Sequence, residues 1–411
     1  MLNKLDDFPI HQTVEPIAHP ATTDRNAYDR FWFGGFSAGG EYMFGIAMGL
    51  YPHRGILDCA FSLRRRGGLQ HSFFGSRRAP RERTDMSVGP FRLEIPVPMR
   101  RTRLVLDDNA SGLSCDLTFS ARTAAIEEAH QTLWNGPWRI LDCTRFDVFG
   151  RCSGTIRTPE GEIAVDPQSC FGVKDRSWGV RKIGEPDTGG APNPYGGSTF
   201  FWAPLFWDDH VTQAIFYDGG DGSVLHRDAI VAPLYPDEPD GPEVEDGLAR
   251  RLATCRHHIG WFPGTRLARS MAIDLVDHDG STRHVEMEPL LRFHMRGIGY
   301  AHPEWAHAWW KGELALGHET IDPDALDLLQ VPNFHTQQVV RVDFDRAAGW
   351  SPRQGEKFRA LLAVELNRAD GVVIEDYGKG AVTQDVVDLI LATAAKRKIP
   401  VGLDPKEGHD L

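Results

Sequence analysis

The chain has 411 residues, 41% of them hydrophobic, which is material for about two or three domains with buried cores and excludes wholesale disorder. Its net charge of -12 excludes the basic footprint of a nucleic-acid binder. The N-terminus "MLNKLDDFPIHQ" has no apolar signal region and no apolar run approaches a membrane span, so the sequence reads as soluble and cytoplasmic, with no membrane partner.

In chain order, Arg64, Arg65 and Arg66 read as a solvated strand end or turn. In "GLSCDLTFSA", Leu113, Cys115, Leu117 and Phe119 alternate with polar residues, which predicts a strand with one buried face. "ARTAAIEEAHQTLW", residues 121–134, is the best candidate for an amphipathic helix. Three hairpins follow: "TIRTPEGEIAV" turning at Glu160-Gly161, "VTQAIFYDGGDGSVLHRD" turning between Asp218 and Gly222, and "MAIDLVDHDGSTRHVEME" turning at Asp279-Gly280. Gly184–Thr199 reads as a linker between two β units, and Tyr235–Gly247 as an acidic, proline-rich loop. Many short strands with frequent turns predict antiparallel sandwiches or barrels.

The pattern changes after about residue 340. Ser351, Pro352 and Gln354 resemble a capping box, and Phe358, Leu361, Leu362 and Leu366 recur at helical spacing. "GVVI" is a fully apolar strand. Thr383 can cap a helix whose buried stripe is Val386, Val387, Ile390 and Leu391, and "IPVGLD" is a second apolar strand. Strand, helix and strand in this order predict a parallel crossover, with Asp376 and Asp404 at the carboxyl ends of neighbouring strands.

The six cysteines have no CxxC or zinc-ligand spacing, so reduced thiols are expected. Eleven Trp and 22 Phe fall in bursts such as "RFWFGGF", "TFFWAPLFW" and "HPEWAHAWW", which can fill a β core or line an apolar pocket. His302, Glu304 and His307 lack HExxH spacing, and a packed or hydrogen-bonded His is the default reading. No phosphate loop, dinucleotide fingerprint or nucleophile elbow is present, so no metal and no cofactor is expected. Nothing in the sequence sets an oligomeric state.

"FGVKDRSWGVRK", with "FDVFGRCSGTI" before it and "FFWAPLFW", "GIGYAHPEWAHAWWKGELALG" and "HTQQVVR" after it, resembles a bacterial family of paired lipocalin-like domains. That family includes the carotenoid 1,2-hydratases, or hydroxyneurosporene synthases, and the resemblance spans about residues 15–340. It implies a mainly β fold of two packed antiparallel lipocalin-like barrel or sandwich domains, residues 1–185 and 186–340. It implies Asp175, followed by Trp178 and Gly179, as the acid that protonates a terminal isoprenoid alkene before water adds. Such an acid must stay protonated at neutral pH, which burial achieves, and aromatic faces can stabilise the carbocation. Trp178, Tyr195, Phe201, Trp202 and Trp207 are the candidate substrate walls, and Tyr217 or Tyr300 can orient the water. Lys174 and Arg176 flank Asp175 and favour its ionised form, unless a strand points them to the opposite face. The competing reading pairs Asp175 with Arg181 or another Arg and uses Trp178 as core.

"QQVVRVDFD", "DYGKG" and "DPK" resemble the interior of a ribokinase-like (PfkB) sugar kinase, nearest the heptose-7-phosphate kinase part of ADP-heptose synthases. The likeness covers residues 337–411 and implies a short α/β fragment over 341–411. Asp376, Lys379, Asp404 and Lys406 would lie on its ligand side. The C-terminal phosphate-binding loop of such kinases does not occur in the sequence, so no kinase activity is expected. Three functions therefore compete: a hydratase-like enzyme acting on an apolar molecule, a non-catalytic carrier of a hydrophobic ligand, and a kinase-related protein.

Overall fold

Alternating apolar residues become paired strands from Ala27 onward. The computed structural model describes residues 2, 4–185, 198–235, 249–265, 267–344, 352–376 and 384–405. Thirteen strands come first: β1 (Ala27–Ser37), β2 (Tyr42–Tyr51), β3 (Ile56–Arg65), β4 (Gln70–Arg78), β5 (Ser87–Val88), β6 (Phe91–Val97), β7 (Arg101–Leu106), β8 (Ser114–Ala121), β9 (Ile126–Glu127), β10 (Gln131–Asn135), β11 (Trp138–Thr158), β12 (Gly161–Val165) and β13 (Cys170–Arg181). They are followed by β14 (Ser198–Phe206), β15 (His210–Gly219), β16 (Val224–Pro233), β17 (Arg250–Arg251), β18 (Thr254–Trp261), β19 (Ala268–Val276), β20 (Thr282–His294), β21 (Leu314–Ile321) and β22 (Thr336–Phe344). The tail holds α1 (Pro352–Leu366), β23 (Val372–Asp376), α2 (Gln384–Arg397) and β24 (Val401–Pro405).

The protein is mainly β, as its alternation predicts. One large sheet runs β21-β4-β3-β2-β1-β13-β11-β8-β7-β6-β5 and curls into a nearly closed antiparallel barrel. Near the closure, Val88 of β5 packs against Gly75 of β4, where a β-carbon would clash. The interior is filled by Phe33, Phe44, Ile46, Phe61 and Phe119, each 1% exposed or less. A second sheet runs β14-β15-β16-β17, and a third β18-β19-β20-β22. By contact the chain divides into two compact units. One comprises Met1–Arg251, Trp261–Leu267 and Pro289–Val340; the other comprises Leu252–Gly260, Ala268–Glu288 and Arg341–Leu411.

The predicted hairpins join β11 to β12, β15 to β16 and β19 to β20, turning at Gly161, Gly222 and Gly280. The predicted strand at Leu113–Phe119 is β8, with all four apolar residues buried. The helix expected over 121–134 is a correction: this stretch holds β9 and β10. Its backbone bonds go sideways, from Arg122 and Thr123 N–H to Phe149 O and from Glu128 N–H to Arg145 O, so pairing with β11 overrides the helical propensity of Ala and Glu. Arg64 is a second correction: it is 4% exposed and donates to Arg292 O at 2.6 Å. Most of the predicted linker and of the acidic loop lies outside the described residues, at 186–197 and 236–248.

In the tail, β23 and β24 pair in parallel around α2, with Glu375 opposite Asp404. Asp376 and Asp404 therefore occupy the carboxyl ends of adjacent strands, whereas Ser351, Lys379, Thr383 and Lys406 lie outside the described residues. Leu366, Ile374, Val386 and Ile390 form the tail's own core. Leu361, Leu391 and Val373 are exposed instead of buried. All six cysteines are buried, and no described helix is long and apolar enough to cross a membrane.

Candidate functional site

Strand pleating sends successive side chains to opposite faces. On β1, β13 and β11 the even-odd split separates two environments. Phe33, Lys174 and Val148 share one row and face the barrel interior; Trp32, Asp175 and Asp147 share the next row and face outward. The outward face is covered in turn by the second sheet. Trp202 of β14 packs edge-on against Trp32 at 5.7 Å, and Phe206 packs on Phe171 at 4.7 Å and on Phe149 at 5.9 Å. Charged residues that alternation would leave in water are thus enclosed.

One end of this buried belt is a carboxyl cluster. Asp147 and Glu128 are 0% and 2% exposed. Gln213 of β15 bridges them, donating to Glu128 Oε1 at 2.8 Å and to Asp147 Oδ2. Gln131 donates to the other Glu128 oxygen at 2.9 Å, and Arg145 Nη1 reaches the same oxygen at 3.3 Å. Arg145 Nε lies 3.5 Å from Asp175 Oδ2. Three carboxyls share a single adjacent arginine, so they cannot all be charged at low cost. Asp147 is the one that yields. Burial, then the charges of Glu128 and Asp175, push its pKa well above the carboxylate range, and Arg145 only partly offsets them. Its Oδ1 has no hydrogen-bond partner. The cluster therefore holds a neutral carboxyl, an acid available to a basic or nucleophilic substrate atom.

The other end is Asp58 of β3. Burial pushes its carboxyl up to about 7, against the Ala308 amide, Arg30, Tyr51 and Arg181, which all favour the ionised form. The Ala308 N–H donates to Oδ2 at 2.7 Å. The Tyr51 hydroxyl lies close enough to bias the carboxyl, yet makes no well-formed hydrogen bond. Asp58 borders a small cleft with Phe74, Ser76, Trp305, Trp309 and Lys311, enclosing about 320 Å³ when its open mouth is included.

Between these ends stand a buried arginine, Arg30, a half-buried one, Arg181, and their ring neighbours. Arg30 lies 4.7 Å above the Tyr300 ring, and Arg181 lies 5.7 Å from the same ring and 5.0 Å from that of Tyr28. His335 packs at 4.1 Å on Tyr300. Burial, then Arg30 and Arg181, push His335 down to about 3; burial and the same arginines also hold His307 well below the usual histidine range. Tyr217, stacked on Phe200 at 4.7 Å, is pushed up to about 12 by burial against the pull of Arg145 and Arg181.

The structure brings together four of the residues singled out from sequence: Asp175, Trp202, Tyr217 and Tyr300. Asp175 sits outward, opposite Asp147, while Lys174 and Arg176 point to the barrel side. Trp178 is on that other side too, 41% exposed and edge-on to Phe146. Phe201 lies on the opposite face of β14 from Trp202 and stacks on Phe216 at 5.5 Å. Trp207 bonds within its own hairpin to Thr212 Oγ1 at 3.0 Å, and Tyr195 lies outside the described residues. His302, Glu304 and His307 do not converge. His302 Nδ1 accepts from the Glu304 and Trp305 amides at 3.0 and 2.8 Å, and its Nε2 donates to Glu319 at 3.1 Å. Glu128, Arg145, Asp147, Arg30, Asp58 and Gln213 were missed, because isolated charges on alternating strands read as solvent-facing. The available signal was "CTRFDVFG", where Arg145 and Asp147 alternate with aromatic and apolar residues on a strand too long to be an edge.

A nearly closed antiparallel barrel with a second sheet across one outer face, enclosing acids, arginines and aromatic rings between them, defines a β protein with a buried polar site. Residues 2–355 match the family of unknown function DUF8625, and the chain belongs to that family. Its curated relatives are similar over a short stretch. The bifunctional protein HldE of Koribacter versatilis is 34% identical over 70 residues, 17% of this chain and 14% of the relative. The D-beta-D-heptose 7-phosphate kinase of Bordetella bronchiseptica is 38% identical over 73 residues, 18% and 22% of the two chains. The chain thus spans about a seventh of the HldE relative's length. Among solved structures, a protein described as AttH from Nitrosomonas europaea has a TM-score of 0.46 at 13% identity, covering 67% of this chain and 85% of that one. Kievitone hydratase from Nectria haematococca has a TM-score of 0.42 at 13% identity, covering 64% and 76%.

Proposed function

We propose that the β body binds an apolar, isoprenoid-like small molecule against the belt and protonates an alkene on it, leading to hydration or isomerisation. The observation that carries this reading is the neutral Asp147 carboxyl in the row Trp32, Asp175, Asp147. Asp175 is the member that meets substrate, because its side chain keeps 20% exposure; Asp147 is the proton reserve directly opposite it. The carboxyl proton goes to one alkene carbon and leaves a carbocation on the other. Trp32 and Trp202 offer aromatic faces to that cation. Water, oriented by Tyr217 or Tyr300, then adds and returns its proton to the carboxylate; loss of a neighbouring C–H proton instead gives the isomer.

This reading keeps residues 1–185 and 186–340 as two lipocalin-like domains and 341–411 as a ribokinase-like fragment. The described tail residues hold one parallel strand pair and two helices, a small part of any phosphoryl-transfer site, so we assign the fragment no kinase activity of its own. The test is to incubate the full chain with an isoprenoid-rich extract in heavy-oxygen or deuterated water and follow the bound compounds by mass spectrometry. A bound alkene should gain labelled water or carbon-bound deuterium, and Asp175→Asn should abolish this while capture persists. Capture without chemical change in the native chain would leave the carrier reading; unchanged turnover in Asp175→Asn would exclude Asp175 as the acid.

A further inference from the structure

Arg30 is 4% exposed, and Arg181 is half-buried beside it. Among the described residues neither has a carboxylate within ion-pair distance. Arg30 Nη2 donates to Ile298 O at 2.9 Å, and Arg181 Nη2 donates to Gly299 O at 3.3 Å and to His307 Nδ1 at 3.4 Å. The Nε of both has no hydrogen-bond partner. Gly297 and Gly299 take φ of +69° and +68°, a left-handed backbone that turns these consecutive carbonyls onto the two forks. Carbonyl dipoles offset part of the charge. Buried cations are otherwise paired, and an unpaired guanidinium is costly.

We infer that Arg30 and Arg181 bind the oxyanion head group of the ligand, so that the molecule taken up is an amphipathic acid rather than a neutral hydrocarbon. Guanidinium forks match the planar, two-oxygen geometry of a carboxylate and also bind phosphate. The Tyr300 ring between them leaves a wall for the apolar body. The inference rests on the reading that the belt is where ligand sits, but not on alkene chemistry.

A pH dependence follows. The titratable groups around the pair are Asp58 on β3, Tyr28 on β1, Tyr51 on β2, Cys143 on β11, Tyr217 on β15, and Tyr300, His307 and His335. Arg54 and Arg145 add fixed positive charge. His307 and His335 stay neutral, and burial pushes Tyr28, Tyr51 and Tyr217 up. Asp58, near 7, is the one that changes charge near neutrality. Its anion competes with a bound oxyanion for both arginines, so affinity should fall as pH rises through 7.

The test is calorimetry on the full chain with geranic acid, geranyl phosphate, geraniol and geranylamine, and with acetate and inorganic phosphate as probes that lack the apolar body. The acid, the phosphate or both should bind at least about tenfold tighter than the alcohol and amine, the effect of one well-placed charge. Arg30→Gln and Arg181→Gln should abolish that preference. Should either fail to fold, Asp58→Asn is the second variant: it should remove the pH dependence and tighten acid binding on the alkaline side. Equal binding of acid and alcohol would overturn the head-group assignment and leave the apolar site standing. Binding of acetate or inorganic phosphate that Arg30→Gln weakens, with no geranyl compound bound, would support the arginine site and overturn the apolar reading. No binding of any probe would overturn both.

Discussion

The two faces of β1, β11 and β13 are built from the same strands but differ in what they bury. Inward, Phe33 and Val148 meet Phe44, Phe61 and Phe119, and side chains can be exchanged for others of similar volume with little loss. Outward, Arg30, Arg145 and Asp147 are buried, and Asp175 and Arg181 half-buried, among tryptophan and tyrosine rings. Replacing such groups by apolar ones is often neutral or stabilising in proteins, so their presence is poorly explained by stability. The proposed site lies on this outer face. The inner face carries charge too: Arg176 pairs with Asp29, and Lys174 Nζ meets Thr102 Oγ1 at 3.5 Å.

The comparison breaks first if the inner face is not the main source of stability. Phe44 is fully buried, and Phe44→Ala should cost about 3–5 kcal/mol in denaturant unfolding without altering ligand head-group preference. A loss below about 1 kcal/mol would mean that the interior is not packed as a core.

The outer face should respond in the opposite direction. Asp58 has a folded-state pKa raised to about 7 from an ordinary value of 3.8. Between those values the folded state holds more protons than the unfolded state, so this group's contribution falls as pH rises and its full penalty is present above 7. Asp58→Asn should therefore stabilise the protein on the alkaline side, by up to about 4 kcal/mol, and by progressively less toward the acid side. A variant destabilised at every pH would show that the carboxylate itself holds the fold.

Lys174 sharpens the contrast by the smallest step. Burial, with the charge of Arg176, pushes its amine down to about 8. A depressed amine carries its penalty at neutral pH and loses it as pH rises through the folded value toward the unfolded one. Lys174→Met should raise stability at neutral pH by about 1–3 kcal/mol, read from the unfolding midpoint, with the gain shrinking above that folded value. No gain would mean that the amine has a counter-charge in solution.

The sheet architecture was legible because Leu113 and, in the β8 that follows it, Cys115, Leu117 and Phe119 write a buried face in period two, and because Gly161, Gly222 and Gly280 mark turns that need positive φ. The carboxyl cluster was not legible. Alternation says which residues share a face, and it does not say that a second sheet will cover the polar face. Asp175 was found through a motif, whereas Asp147, two strands from β1 in the same row, carried no motif. The segment 121–134 misled because Ala and Glu favour a helix locally, while the partner strand that claims its backbone lies in β11. In the tail, the helical period was right and its phase was off at Leu361 and Leu391, which face solvent.

The central claim is that the outer face keeps a neutral carboxylic acid at neutral pH. Infrared difference spectroscopy of the full chain, native against Asp147→Asn, reads this directly through the carbonyl stretch of a protonated carboxyl. The account predicts that band in the native protein at neutral pH, shielded from rapid solvent exchange and reduced in Asp147→Asn to the part that Asp58 contributes. A native spectrum with only carboxylate bands, or a protonated band that survives Asp147→Asn unchanged, would contradict it.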